Sequence, residues 1–207
     1  MSPMYAELHA HSAYSFLDGA SLPEELVLQA HQLKLKAVAL TDHNGLYGSM
    51  AFAHTAKAWG VQPITGAEIT LKGGHHLTLL VESPRGYANL CRLLSHAHLD
   101  HPRGAPQVEW ERLTRHSDGL IALTGCSQGE LAAHVHAGKM DAAMRSLERY
   151  LDVFGRDRVW VELQHHRARG DTARVRRLVE VARALGAGVV ATNNVHYHVR
   201  ERHRLQD

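Results

Sequence analysis

Short apolar runs suited to β-strands alternate with amphipathic helical stretches from one end of the 207-residue chain to the other. The strand-like runs cover residues 4–9, 37–41, 63–70, 77–82, 119–124, 159–164 and 188–192. Between the first two, Ser21 is a plausible N-cap. Pro23 stands in the following turn, and Leu22, Leu26, Val27, Ala30 and Leu33 make one apolar stripe. A later helix puts Val175, Leu178, Val179, Ala182 and Leu185 on one face and stops at Gly186. Further helices are expected near residues 48–59, 87–98, 129–136 and 141–154, whereas 100–109, with Pro102, Gly104 and Pro106, reads as a loop. Such alternation specifies an α/β fold with a mainly parallel sheet, open or closed into a barrel. In either form, functional residues gather where strands end and loops begin. The length suits one domain spanning residues 1–207.

The strand ends carry chemistry. The first finishes in His9-Ala10-His11, and residues two apart in a strand share a face, so two imidazoles converge there. Asp18 follows in the next loop. The second strand ends in Thr41-Asp42-His43, the third carries Glu68, and the fourth begins at His75-His76. The fifth ends at Thr124-Gly125-Cys126 and the last at Asn193-Asn194-Val195-His196. Any one of these has a bland explanation: a chance His-x-His, a helix cap, a small buried cysteine, a histidine pair after a Gly-Gly turn. Their recurrence in step with the strands favours a metal site.

Imidazole, carboxylate and thiolate together suit zinc or a similar transition ion, and the donors outnumber what one ion can use. Asp18, Glu68 and a deprotonated Cys126 bring three negative charges, which two or three divalent ions would more than offset. A positive pocket of this kind attracts phosphate oxygens, and a metal-bound water supplies a nucleophile. Metal-assisted phosphoester hydrolysis is the reaction class that follows.

Composition narrows the field further. Histidine is in excess at 18 residues, many of them in polar or helical stretches without ligand spacing. Two cysteines are too few for a disulfide framework and fit a reducing cytoplasm. Neither a secretory signal nor an apolar run of membrane-spanning length is present, so a soluble protein without a membrane partner is expected. The formal net charge of +2 neither requires nor excludes nucleic acid. The run Arg167, Arg169, Arg174, Arg176 and Arg177 is suited to a phosphate backbone but reads first as the solvated face of a helix.

Tyr5-Ala6-Glu7-Leu8-His9-Ala10-His11-Ser12 and Tyr14-Ser15-Phe16-Leu17-Asp18-Gly19-Ala20 resemble the opening of the polymerase and histidinol phosphatase (PHP) domain, in the form found in bacterial C-family DNA polymerases. Ala39-Leu40-Thr41-Asp42-His43 with Gly45-Leu46-Tyr47-Gly48, Pro63-Ile64-Thr65-Gly66-Ala67-Glu68, Leu77-Thr78-Leu79-Leu80 and Ala191-Thr192-Asn193-Asn194-Val195-His196-Tyr197 are similar to its later motifs. The resemblance implies a distorted seven-stranded β/α barrel holding up to three divalent ions, zinc, manganese or similar. It implies that His9 and His11 bind one ion with Glu68, which bridges to a second. His76, or its neighbour His75, and Cys126 would hold the second ion, and Asp18, His43 and His196 the third. His9, His11 and Glu68 are the residues expected to carry the chemistry. Asn194 stands where the family has an aspartate and contributes to the set a neutral oxygen in place of a charge.

The activity implied is 3′–5′ exonuclease action on a DNA end. A small-molecule phosphatase of the histidinol-phosphatase type and a metal-stabilised scaffold for the polymerase are the alternatives. The partners implied are a DNA 3′ end or a small phosphate ester, and the remainder of a C-family polymerase. No polymerase palm or fingers lie in the chain, and residues 199–207 look like the start of a helix where a longer protein would continue.

Overall fold

The computed structural model describes residues 5–206; Met4 of the first expected strand and Asp207 of the tail lie outside them. The chain is α/β and divides into two compact units. The first comprises the chain up to Ala67 together with the segment from Asn193 onward, and the second runs from Glu68 to Thr192.

In the first unit, α1 (Pro23–Gln32) and α2 (Ser49–Trp59) flank β1 (Ala37–Leu40). That strand pairs in parallel with the start of β2 (Gln62–Thr70), Ala37 opposite Gln62 and Leu40 opposite Thr65. Leu26, Val27 and Ala30 of α1, Val38 and Leu40 of β1, and Phe52 and Ala56 of α2 form one buried cluster. Each fully buried Leu, Val or Phe contributes about 1.5–3 kcal/mol, so this stripe accounts for the docking of α1. The N-cap of α1 is Leu22, not Ser21. The Leu22 amide donates to the Glu25 carboxylate at 2.8 Å, while Ser21 Oγ lies 2.7 Å from the His198 ring.

Six strands occur among the described residues in place of the expected seven. The missing one is the first, where residues 7–10 make only isolated parallel bridges, Glu7 to Val38 and Ala10 to Val195. Side chains break the ladder. The Ala10 amide donates to Thr41 Oγ1 and the His9 amide to Glu7 Oε1, at 3.0 Å each, in place of backbone carbonyls. The segment is nevertheless tied on both sides. The amides of Ala39 and Thr41 donate to the carbonyls of Glu7 and Ala10, and His11 and Val195 exchange bonds with residues 195 and 9.

In the second unit, β3 (His76–Val81) runs antiparallel to β4 (Leu120–Leu123). β4 is parallel to β5 (Val159–Leu163), and β5 to β6 (Gly188–Ala191). The helices are α3 (Pro84–Leu99), α4 (Trp110–Arg115), α5 (Glu130–His136), α6 (Met140–Phe154) and α7 (Asp171–Leu185). Ser83 caps α3 by accepting from the Gly86 amide at 3.2 Å, ahead of Pro84. On α6, Ala143, Leu147, Tyr150, Leu151 and Phe154 are buried at helical spacing. α7 stops at Gly186, left-handed at φ 66°, where the sequence places its end. The expected loop at 100–109 is followed at once by α4, a six-residue helix with too few apolar positions to show a period. A short helix at His203–Gln206 closes the described chain.

Because β4, β5 and β6 are mutually parallel, their C-terminal ends lie on one rim of the second unit. The start of β3 lies there too, since β3 is antiparallel to β4. His76 and the loop carrying Cys126 therefore share an edge.

Candidate metal centre

Within the first unit, the segment at 9–11, the loop at 12–20, the turn after β1 and the final motif bring their side chains together. His9 and His11 are fully buried, with their Nε2 atoms 3.1 Å apart. His11 Nε2 is also 3.1 Å from Asn194 Oδ1. The His11 ring stacks on His43 at 4.6 Å between centroids and lies 5.2 Å from His196. Asp18 joins the group, with Oδ2 3.0 Å from His43 Nε2 and Oδ1 3.0 Å from His196 Nδ1. One donor atom each from His11, Asp18 and His43 falls within 4.8 Å of the others. A tetrahedral zinc with Zn–N near 2.0–2.1 Å spaces its donors about 3.3 Å apart, so separations of this order fit an ion.

The electrostatics point the same way. Burial alone would raise the Asp18 pKa, but hydrogen bonds from His196 and His43 overrule it and hold the carboxyl well below the usual range. Asp18 therefore keeps its negative charge, and the protons that the histidines lend it are those a cation would displace.

Several residues hold these donors in place. Asp42 Oδ1 accepts from the Ser12 amide at 2.6 Å and from Ser15 Oγ at 2.7 Å, and Oδ2 accepts from Ser12 Oγ at 2.8 Å. Burial outweighs these bonds and raises the Asp42 pKa. With its proton committed to Asp42, Ser15 Oγ accepts from the His43 amide at 3.0 Å and faces His11 Nδ1 at 3.4 Å. That contact suits a proton on His11 Nδ1, the tautomer that a metal ligand at Nε2 needs. Glu7, 4% exposed, accepts from the Asn193 amide and Nδ2 and from Tyr5, and so fixes the entry to Asn194. Gly19 is required as well, because a Cβ there would collide with the Ser12 carbonyl.

The second unit holds Glu68, His76 and Cys126 together. Glu68 Oε2 is 3.2 Å from His76 Nδ1, which is 3.8 Å from Cys126 Sγ. Glu68 is 1% and Cys126 6% exposed. Burial, then the charge of Glu68, pushes the Cys126 thiol far above its ordinary value. A buried carboxylate beside an imidazole and a thiol is stabilised by a cation, which would reverse that shift and leave a thiolate ligand. The neighbouring His75 faces elsewhere. Its Nδ1 lies 3.4 Å from the Gln128 carbonyl, and its ring is in a depression with Trp110, Glu130 and Arg149. Gly125, at φ 87°, lets the Cys126 loop pass over β3, since a Cβ would lie 2.6 Å from the His76 carbonyl oxygen.

Ser12, Ser15, Asp42 and Glu7 were not singled out as site residues from sequence. All four sit within three residues of an expected ligand, which is the one signal that pointed to them.

Comparison with known proteins gives these geometries a family. An error-prone DNA polymerase of Symbiobacterium thermophilum is 40% identical across 98% of this chain and 20% of its own length. The DNA polymerase III alpha subunit of Thermus aquaticus is 36% identical over 98% of this chain and 18% of its own. The chain thus spans about a fifth of the length of these relatives. A proposed metal-dependent phosphoesterase from Bifidobacterium adolescentis shares the fold, with a TM-score of 0.62 at 15% identity, covering 92% of this chain and 87% of that one. No helix among the described residues is long and apolar enough to cross a membrane. The family model for the PHP domain matches residues 7–166, and with its motif residues grouped as described, the chain belongs to the PHP domain family.

Proposed function

We propose that this chain is a metal-dependent phosphoesterase domain of a C-family DNA polymerase and that it trims DNA 3′ ends. The observation that carries the reading is the convergence of His11, Asp18 and His43 donor atoms within 4.8 Å, with His9, Asn194 and His196 around them. His9, His11, Asp18, His43 and His196, with Asn194 as a neutral oxygen donor, hold divalent ions in the first unit; Glu68, His76 and Cys126 do so in the second. When bound, up to three divalent ions of zinc or manganese type would supply an acidified water and offset the charge of phosphate oxygens. The protein's share is orientation. The Asp42–Ser15 pair fixes His11, Glu7 fixes the Asn193–Asn194 turn, and Gly125 lets the Cys126 loop close over His76. The names of the polymerase relatives and of the phosphoesterase neighbour support both the reaction class and DNA as substrate.

Asn194 favours a second reading, in which the ions only stabilise a scaffold for the polymerase, because the neutral amide weakens the site at His11. The two are separated by metal-supplemented hydrolysis of a labelled primer–template by the wild type, His9→Ala and Glu68→Ala, with elemental analysis of each protein. Metal-dependent 3′ trimming that both variants lose supports the nuclease. Bound metal without trimming by any of the three overturns it in favour of the scaffold, or of a small phosphate ester as substrate.

A further inference from the structure

The arginine-rich run after β5 is not simply a helix face. α7 begins at Asp171, so residues 165–170 form the loop that leaves the C-terminal end of β5, and all six are exposed. This is the rim on which His76 and the Cys126 loop lie, and β5 is the strand next to β4. The two are tied locally, since the Thr124 amide donates to the Trp160 carbonyl and the Glu162 amide to Thr124 Oγ1. In parallel α/β sheets, ligands bind outside the carboxyl ends of the strands.

The loop is built rather than loose. Asp171, 2% exposed, accepts from the amides of His166 and Ala168 at 2.8 and 3.1 Å. Arg174 closes it, with Nη2 2.9 Å from Asp171 Oδ1 and 3.1 Å from the Gln164 carbonyl. His165 Nε2 lies 3.0 Å from Thr172 Oγ1. Arg167 is held left-handed at φ 63°, an unfavourable conformation for a long side chain that the surrounding fold maintains. Arg174 is spent inside the loop and neutralises Asp171. Arg177 is taken up at 3.5 Å by the Val135 carbonyl. Arg167, Arg169 and Arg176 are exposed and have no ion pair among the described residues. Glu180, one turn beyond Arg176, makes none with it. In residues 165–177 there are five arginines to one aspartate, whereas the whole chain is only +2. Two of these arginines, Arg167 and Arg169, stand in the loop on the rim that carries two of the proposed ligands, and the others follow on α7.

We infer that the β5–α7 loop, through Arg167 and Arg169, is a docking surface for the phosphodiester backbone of single-stranded DNA. The inference deepens the phosphoesterase reading and rests on it for the choice of DNA. A small phosphate ester has no second phosphate to reach such a loop, whereas a strand leaving a hydrolytic site does.

The test is binding of a fluorescein-labelled phosphorothioate oligodeoxynucleotide, which resists hydrolysis, followed by anisotropy across a salt series. Wild type is compared with the double variant Arg167→Gln/Arg169→Gln and with Arg183→Gln at the far end of α7. Each phosphate contact to a single strand contributes about 0.7 to the slope of log K against log salt. The double variant should therefore bind more weakly with a slope smaller by about 1.4, and Arg183→Gln should match wild type. An unchanged slope in the double variant, or an equal drop in Arg183→Gln, overturns the inference. So does arginine-dependent adsorption to phosphatidylglycerol vesicles without DNA binding. Metal-dependent DNA hydrolysis is assayed in parallel. Hydrolysis with an unchanged slope removes the docking surface and leaves the phosphoesterase, and the reverse result removes the phosphoesterase and leaves the surface.

Discussion

Replacing Asn194 by Asp should tighten metal binding. Asn194 Oδ1 lies 3.1 Å from His11 Nε2, close to the donor spacing of a tetrahedral ion, so a carboxylate oxygen in its place would face the same point. The backbone permits the change. Asn194 sits at φ 49°, in the left-handed region that Asn and Asp tolerate and most side chains do not. The gross gain is large, since two unit charges 4 Å apart attract by about 4 kcal/mol at an effective dielectric of 20. Against it stand desolvation of the new carboxylate and its repulsion from Asp18, which keeps its charge in the same group. We expect a net gain of about 1.4–2.7 kcal/mol, or 10- to 100-fold in affinity, comparable with the effect of changing a group that supports a ligand. Titrating the metal-free proteins with zinc or manganese against a chromophoric chelator measures this directly. Asn194→Ala serves as the control that removes the oxygen. Equal affinities for the wild type and the Asp variant would refute both the placement of this side chain at an ion and the proposed reason for a weakened site.

Gly125→Ala should destabilise the protein by roughly 2–4 kcal/mol, because it forces a Cβ at φ 87° to within 2.6 Å of the His76 carbonyl oxygen; urea unfolding measures it. Cys126→Ser should lower the metal retained after dialysis, while the metal-free wild type, its thiol pushed up by burial and by Glu68, should react slowly with iodoacetamide at pH 8. Glu130 provides a pH test outside the proposed ligand set. Burial tends to raise its pKa, but Arg149, whose Nη2 lies 2.8 Å from both carboxylate oxygens, and Tyr150 bring the net value below the ordinary 4.5. A depressed carboxylate stabilises the fold above its unfolded pKa and loses that contribution as pH falls through the folded one. Wild type should therefore lose more stability between pH 6 and pH 3 than Glu130→Gln does. An equal loss in the two proteins would contradict this.

How much of this was legible in the sequence depended on whether the signal was local. The helix stop at Gly186 and the amphipathic stretch of α6 were legible because periodicity and caps are properties of neighbouring residues. The proposed ligands His9, His11, Asp18, His43, Glu68, Cys126 and His196 could be singled out because each lies in, ends or follows an apolar run. The missing first strand was not legible, because Thr41 Oγ1 and Glu7 Oε1, supplied by the fold, take the place of ladder carbonyls. Ser21 carries the composition of a cap, but a histidine 177 residues away claims its hydroxyl. Asp42 and Ser15 act through a partner 27 residues apart, a relation no spacing rule contains. The choice between His75 and His76 turns on which one faces Glu68, and adjacent residues in an extended chain face opposite ways.

Anomalous X-ray diffraction from crystals of the wild-type protein grown with zinc or manganese tests the central claim most directly. The account predicts anomalous peaks bounded by His11, Asp18 and His43 and by Glu68, His76 and Cys126. A fully metal-supplemented crystal with no peak at either group would contradict it.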